Sequence, residues 1–371
     1  MSTKAKNIVL TVLMAVLFLG FFGWNIAKSE TAYSNSERRP LATFPELTLE
    51  RVLSGEFMKD FEPFTLDQFP MRDTFRSIKA FFSNYVFMNM DNNDVILENG
   101  HISKLEYPLK EDMMDHAADR FNYIYDSFIK GKNAKVYLSV VPDKNLYLAE
   151  NGGYLAIDYG KLASGMQDRM DCAEYIDVYP LLSADDYYYT DSHWKQENIV
   201  DVAQHLATSM GAEFKDGFAV STLENPFYGT YYGQAALPFI KPDTIRYLTD
   251  DVIENCTVKG VDMNSGKYVD MPVYDMEKAN GKDPYEMFLS GSQPFLAITN
   301  SLNKSGKELV IFRDSYGSSL TPLLIQSYSK ITVVDIRYMY PQVLQNMVNF
   351  NNADVLFIYS SLLLNNSIGL K

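Results

Sequence analysis

Two short stretches hold residue types that could do chemistry together. In "VIFRDSYGSS" an apolar run ends at Phe312, and Ser315 follows in a turn that opens a helical pattern. In "DDYYYTDSHWKQENIV" Asp191 stands two residues before His193, one of four histidines in the chain, with Trp194 beside it. A serine hydroxyl is a weak nucleophile until a base takes its proton. That base is commonly a histidine fixed in one tautomer by an acceptor. In extended or irregular backbone, residues i and i+2 point the same way. Asp191 and His193 are therefore expected on one side, with Ser192 on the other. Ser315 would stand at a strand's carboxyl end beside a helix start, whose free N–H groups suit a developing oxyanion. Gly317 is expected to give that turn its freedom.

The same residues have plainer uses. Asp314 or Ser315 could simply cap a helix, and Thr190, Asp191 or Ser192 could cap one beginning near Trp194. His101 lies by a turn, while His116 and His205 lie on helical patterns; His193 alone has an acidic neighbour at the right spacing. The two motifs together favour catalysis. Around them, Gly291, Ser292 and Gln293 of "FLSGSQP" would lend an oxyanion donor or form a polar turn into the next strand. Trp194 would wall the imidazole, and Tyr316 would stack on a sugar or pack inward. Arg313, beside the serine turn, and Tyr189 complete the candidate lining; Tyr187, Tyr188 and Tyr189 either line a groove or alternate between core and surface. Asp143 and Lys144 read as a surface ion pair at a strand end, and Asp335 and Arg337 as a structural pair. No Cys/His spacing or Asp cluster resembles a metal site, and no cofactor is expected.

Such a constellation needs a scaffold. The chain has 371 residues, 47% of them hydrophobic, enough for a large core. "AKVYLSVVPD", "KELVIFRD", "KITVVDIRYM" and "ADVLFIYS" read as buried strands that alternate with helical patterns. This predicts an α/β fold, a mostly parallel sheet with helices on both faces and function at the strands' carboxyl ends. "NDVILENGHISKL" reads as a hairpin turned at Asn99-Gly100. From about 223 to 285 the pattern changes to β-rich hairpins and loops, an insertion that could roof the site. At the N-terminus, Lys4 and Lys6 precede an uncharged run from Asn7 to Ala27, long enough to cross a bilayer. Trp24 would suit the outer interface. We read 1–28 as an uncleaved membrane anchor, or alternatively a cleaved signal peptide; either exports the protein. Residues 29–92 read as a helical juxtamembrane connector packed on the main domain, and 93–371 as that domain. A net charge of −14 argues against nucleic acid and against polybasic docking on anionic lipid, though not against a neutral glycan. Cys172 and Cys256 read as free buried thiols.

"TDSHW" resembles the Asp-His-His-Trp signature of DHHW-motif proteins, exported bacterial proteins. "SERRPLATFPELTL", "VVPDKNLYLA", "FYGTYYGQA", "FLSGSQPFLAI", "VIFRDSYGSSLTPLL" and "VVDIRYM" fit the same pattern across most of the chain after residue 28. More distantly the sequence is similar to the periplasmic alginate O-acetyltransferases, which carry Asp-x-His-Trp and a later serine on an SGNH-hydrolase-like fold. The resemblance implies a three-layer α/β/α domain with the Asp-His pair before the serine, a permuted order. It implies Asp191, His193 and Ser315 as the catalytic aspartate, histidine and serine. It also implies transfer or removal of an acyl group, usually acetyl, on hydroxyls of a cell-surface polysaccharide, with a membrane-bound O-acyltransferase as the donor partner if the reaction is a transfer. Ser192 replaces the family's first histidine, which by alternation points away from the pair. A non-catalytic glycan-binding or cell-envelope assembly protein on the same fold is the other reading.

Overall fold

The computed structural model describes residues 2–89, 91–92, 94–262 and 265–371. The expected boundary at residue 93 and positions 263–264 of the expected insertion lie outside the described residues. The chain divides into two compact units, one of residues 1–92 with Tyr232–Ile240, the other of residues 93–231 with Lys241–Lys371.

The first unit is helical. Ser2 caps α1 (Thr3–Ala27), accepting from the Ala5 N–H, and none of this apolar helix's side chains is buried. Its length and composition suffice to cross a membrane. Thr48 caps α2 (Leu49–Ser54), which ends at Gly55 with φ +84°. Then come α3 (Glu56–Asp67) and α4 (Arg72–Phe81), the latter running on as a π-helical turn to Val86. Asp67 accepts from both arms of the Arg39 guanidinium and from the Ala42 N–H. Glu37 pairs with Arg72 at 2.5 Å and Arg76 at 3.2 Å.

The second unit is built on eight strands: β1 (Lys135–Val141), β2 (Glu174–Tyr175), β3 (Thr257–Val261), β4 (Tyr268–Met271), β5 (Phe295–Thr299), β6 (Glu308–Arg313), β7 (Lys330–Val334) and β8 (Asp354–Ser360). Their spatial order is β4-β3-β5-β7-β6-β8-β1-β2. From β7 through β2 every pairing is parallel; β5, β3 and β4 continue the sheet antiparallel. The central strands are apolar throughout because both faces are covered. On β6, Leu309 and Ile311 join one core with α7 (Val200–Ser209) and α8 (Tyr316–Leu324), while Val310 and Phe312 join the other with α5 (Glu111–Ile124) and α6 (Tyr159–Arg169). The result is the expected three-layer α/β/α, SGNH-hydrolase-like fold.

The local expectations meet different outcomes. The "NG" hairpin forms as read, Val95–Glu98 with His101–Lys104, and Asn99 and Gly100 take φ +49° and +83°. The helix after "TDSHW" begins at Val200, because Trp194 stays extended in a bridge with Tyr187 and a 3-10 turn at Gln196–Asn198 intervenes. Within 223–285, β3 and β4 join the main sheet, while Gly229, Thr230, Asp243 and Tyr285 lie against the "TDSHW" loop. Cys172 and Cys256 are both unpaired and half-buried.

A candidate serine–histidine–aspartate site

β6 delivers Ser315 to the first turn of α8 with φ −64° and ψ −23°. Asp314 locks that junction. Its Oδ1 accepts from the Tyr316 N–H at 3.0 Å, its Oδ2 from the Ser360 N–H at 2.8 Å, and its carbonyl from the Gly317 N–H at 3.1 Å. Asp314, not Ser315, therefore supplies the cap, and the serine hydroxyl is left for another partner. Arg313, fully buried, sends Nη1 to Asp335 Oδ2 at 3.3 Å and Nη2 to the Gly291 carbonyl at 3.2 Å. Burial lowers its pKa against the pull of Asp335. Asp335 also pairs with Arg337 at 2.6 Å, the structural pair expected. Gly317 has an ordinary helical φ; what demands glycine is the Arg313 stem, whose Cβ would lie 2.5 Å from an added Cβ.

The other half of the site is irregular backbone. His193 places Nε2 2.7 Å from Ser315 Oγ and Nδ1 2.5 Å from Asp191 Oδ1. Asp191 and His193 come together as expected, though in a bend and not along an extended strand, and the Ser192 carbonyl accepts from Tyr316 OH at 2.7 Å. Asp191 is buried and receives the His193 N–H on Oδ1 and the Thr230 N–H on Oδ2, at 3.1 and 2.7 Å. Burial alone would raise its pKa, but His193 and these N–H donors outweigh it and hold the carboxyl well below the usual range. The ring facing the imidazole is Tyr285, stacked at 3.9 Å between centroids and 12° between planes. Its hydroxyl meets Ser319 Oγ at 2.9 Å.

What holds this loop comes from remote parts of the chain. Lys144, wholly buried, donates to the carbonyls of Tyr188, Tyr189 and Asp191 at 2.9, 3.3 and 2.8 Å. Asp243 accepts from the Tyr189 N–H, the Thr190 N–H and the Thr190 hydroxyl at 2.8, 2.7 and 2.6 Å. Gly229 presses against the turn, donating its N–H to Thr190 Oγ1; a Cβ there would lie 2.3 Å from Asp191 Cβ and 2.5 Å from the Thr190 carbonyl.

The remaining expected residues fall as follows. Trp194 is buried and does not wall the imidazole; its Nε1 donates to the Tyr316 carbonyl and Ser319 Oγ at 3.1 and 3.0 Å, tying the loop to α8. Tyr316 is buried, so its ring packs and offers no platform. Tyr187 and Tyr188 are buried too, whereas Tyr189 is 40% exposed, with its ring on His101. The Gly291 N–H is committed to the Phe288 carbonyl at 3.1 Å, and Gln293 Nε2 to the Ser290 carbonyl at 3.0 Å; Ser292 is exposed. Asp143 and Lys144 are not a surface pair: Asp143 is buried and accepts from Tyr159 OH and Ser361 Oγ at 2.7 and 3.1 Å. Sequence reasoning singled out neither Tyr285, Gly229, Thr230 nor Asp243 for the site.

A DHHW family protein from Eubacterium siraeum shares this fold with a TM-score of 0.61 and 23% identity, over 75% of this chain and 95% of that one. Bacillus cereus PatB1 carrying a sulfonyl adduct aligns with a TM-score of 0.59 and 18% identity, over 74% of this chain and 97% of that one. PatB1 itself aligns at 0.56 and 17%, over 74% of this chain and 97% of that one. No family model and no curated protein matches the chain. At these identities the likeness is one of fold, the fold that the "TDSHW" resemblance implies.

Proposed function

We propose that this chain is an extracytoplasmic serine acyltransferase or esterase, anchored by α1 and acting on acyl groups, acetyl foremost, carried by polysaccharide hydroxyls. The observation that carries the reading is the unbroken relay from Ser315 Oγ through the imidazole to Asp191, 2.7 Å and 2.5 Å. Ser315 Oγ attacks the acyl carbonyl as His193 Nε2 takes its proton. The buried Asp191 carboxylate holds the Nδ1–H tautomer and stabilises the imidazolium. Asp314 occupies the Tyr316 and Gly317 N–H groups, so the Ser315 N–H is the first-turn donor we assign to the oxyanion. His193 then protonates the leaving oxygen, giving an acyl-serine. A second hydroxyl, deprotonated by His193, attacks that ester and releases the serine; a sugar hydroxyl there makes the reaction a transfer, and water makes it hydrolysis. The acyl donor in a transfer would be a membrane-bound O-acyltransferase.

The test is Ser315→Ala. Turnover of a chromogenic acetyl ester and labelling by a sulfonyl fluoride should both vanish while the thermal transition stays in place. Full residual turnover or labelling would remove Ser315 from the mechanism.

A further inference from the structure

The helix after the "FPMRD" turn is built inside out for a helix in water. A soluble amphipathic helix turns its apolar stripe to the core and its charges outward. In α4 and its π-helical continuation the inward face carries Arg72, Arg76, Ala80 and Ser83, with both arginines engaged by Glu37. The outward stripe is Met71, Phe75, Ile78, Phe82, Tyr85 and Val86, each between 41% and 49% exposed. Phe87 and Met88 beyond it are 69% and 80% exposed. A contiguous apolar stripe this long is seldom left to water.

Its position says what covers it. Phe21, near the end of α1, stacks on Phe69 at 5.7 Å and meets Phe75 edge-on at 5.9 Å; Phe69 and Phe75 are 5.6 Å apart. The stripe therefore starts where the apolar helix ends and continues its apolar surface. Trp24, 49% exposed and 6.0 Å from Phe21, stands at the same level. A bilayer that accommodates α1 would meet Phe75 next, at the depth where aromatic side chains settle. We infer that α4 lies in the plane of the membrane with its Phe75–Val86 stripe in the acyl-headgroup boundary, so the chain holds the membrane by an interfacial helix as well as by α1. The occupant is lipid, and the inference rests on the anchor part of the proposed function.

The full-length protein in vesicles of phosphatidylethanolamine and phosphatidylglycerol, with part of the lipid brominated high on the acyl chain, tests it. Of the two tryptophans, Trp194 is buried and gives a constant background, so Trp24 reports α1 in the wild type. In Trp24→Phe carrying Phe82→Trp, the reporter is α4. The expected result is strong quenching and a blue-shifted emission from both, repeated with Tyr85→Trp in place of Phe82→Trp. Quenching of Trp24 with unquenched reporters at 82 and 85 would overturn the inference while leaving the anchor intact. An unquenched Trp24 would overturn the anchor reading, and the inference with it. Near-UV circular dichroism confirms that each variant is folded.

Discussion

The serine half of the site and the histidine half are held by different kinds of structure. Ser315 stands on a strand–helix junction made of the frame itself: Arg313 ends β6, Asp314 reaches β8, and every residue of α8 is buried. Asp191 and His193 stand on irregular backbone, held by hydrogen bonds to Lys144, Asp243, Gly229 and Thr230. A defect in the frame is shared with the core and appears in global stability. A defect in the loop stays local and appears in turnover. Paired substitutions on the two sides test that division.

Among the supporting residues, the largest effect on turnover is expected from Gly229→Ala on the loop side. The new Cβ meets backbone as well as side chain, 2.5 Å from the Thr190 carbonyl and 2.3 Å from Asp191 Cβ, so the loop must move. The Thr230 N–H then leaves Asp191 Oδ2, and the relay to Ser315 is misaligned. A shift of about 1 Å at such a site can cost on the order of 10²-fold in kcat. Ester turnover measured beside the melting temperature checks the claim: kcat should fall steeply and the melting temperature little. A collapse of stability with kcat unchanged per folded molecule would place the loop in the frame.

Lys144→Met comes next. It removes a charged donor to three carbonyls, one of them Asp191's own. A hydrogen bond to a charged group contributes roughly 1.5–3 kcal/mol, and about 1.4 kcal/mol of lost positioning corresponds to about tenfold in kcat. The pH dependence identifies the group. Burial pushes the Lys144 ammonium down to about 7, with Asp191, Asp243 and Asp143 opposing the shift. An unfolded lysine titrates at about 10.4. Between those values the unfolded chain holds a proton that the folded protein lacks, so stability rises with pH; below about 7 the whole cost of the buried cation is present. Denaturant midpoints should therefore climb with pH in the wild type relative to Lys144→Met across that window. Above about 7 the neutral amine in the folded protein keeps two N–H donors where the ammonium had three, so wild-type turnover should fall toward that of the variant. Parallel stability curves would show that Lys144 does not titrate there.

These two variants also mark what could be read from the sequence. β6 and α8 are legible because apolar runs and turns leave a periodic trace, and Asp191 and His193 because an aspartate two residues before a histidine is within reach of its Nδ1. Their supports leave no local trace: Lys144 lies 47 residues from Asp191, Asp243 lies 53 from Thr190, and Thr230 lies 39 from Asp191. A lysine beside an aspartate ordinarily reads as a surface cation, and nothing near Lys144 in the sequence says otherwise. Only the fold shows three carbonyls converging on it. The helix start expected near Trp194 shifts to Val200 for a related reason. The indole finds both its acceptors on α8, 122 and 125 residues away, and that bond keeps the backbone extended. Tyr285 carried no signal beyond being one of 26 tyrosines.

The smallest effect on turnover is expected from Gly317→Ala, the counterpart on the serine side. Helix propensity alone favours it, since alanine exceeds glycine by about 1 kcal/mol in a helix interior. Against this, the added Cβ would lie 2.5 Å from Arg313 Cβ and 2.8 Å from its Cγ. That stem cannot swing aside, because its guanidinium is buried and tied to Asp335 and the Gly291 carbonyl. Overpacking of a fixed neighbour costs about 1–3 kcal/mol, enough to outweigh the propensity gain. The displacement is spread along α8 and β6, and Asp314 keeps Ser315 registered to β8 through the Ser360 N–H. The melting temperature should drop while kcat per folded molecule changes by less than about tenfold, under 1.4 kcal/mol in barrier. A loss of turnover as large as that of Gly229→Ala would show that the serine is positioned as locally as the histidine, and the two halves would no longer differ in kind.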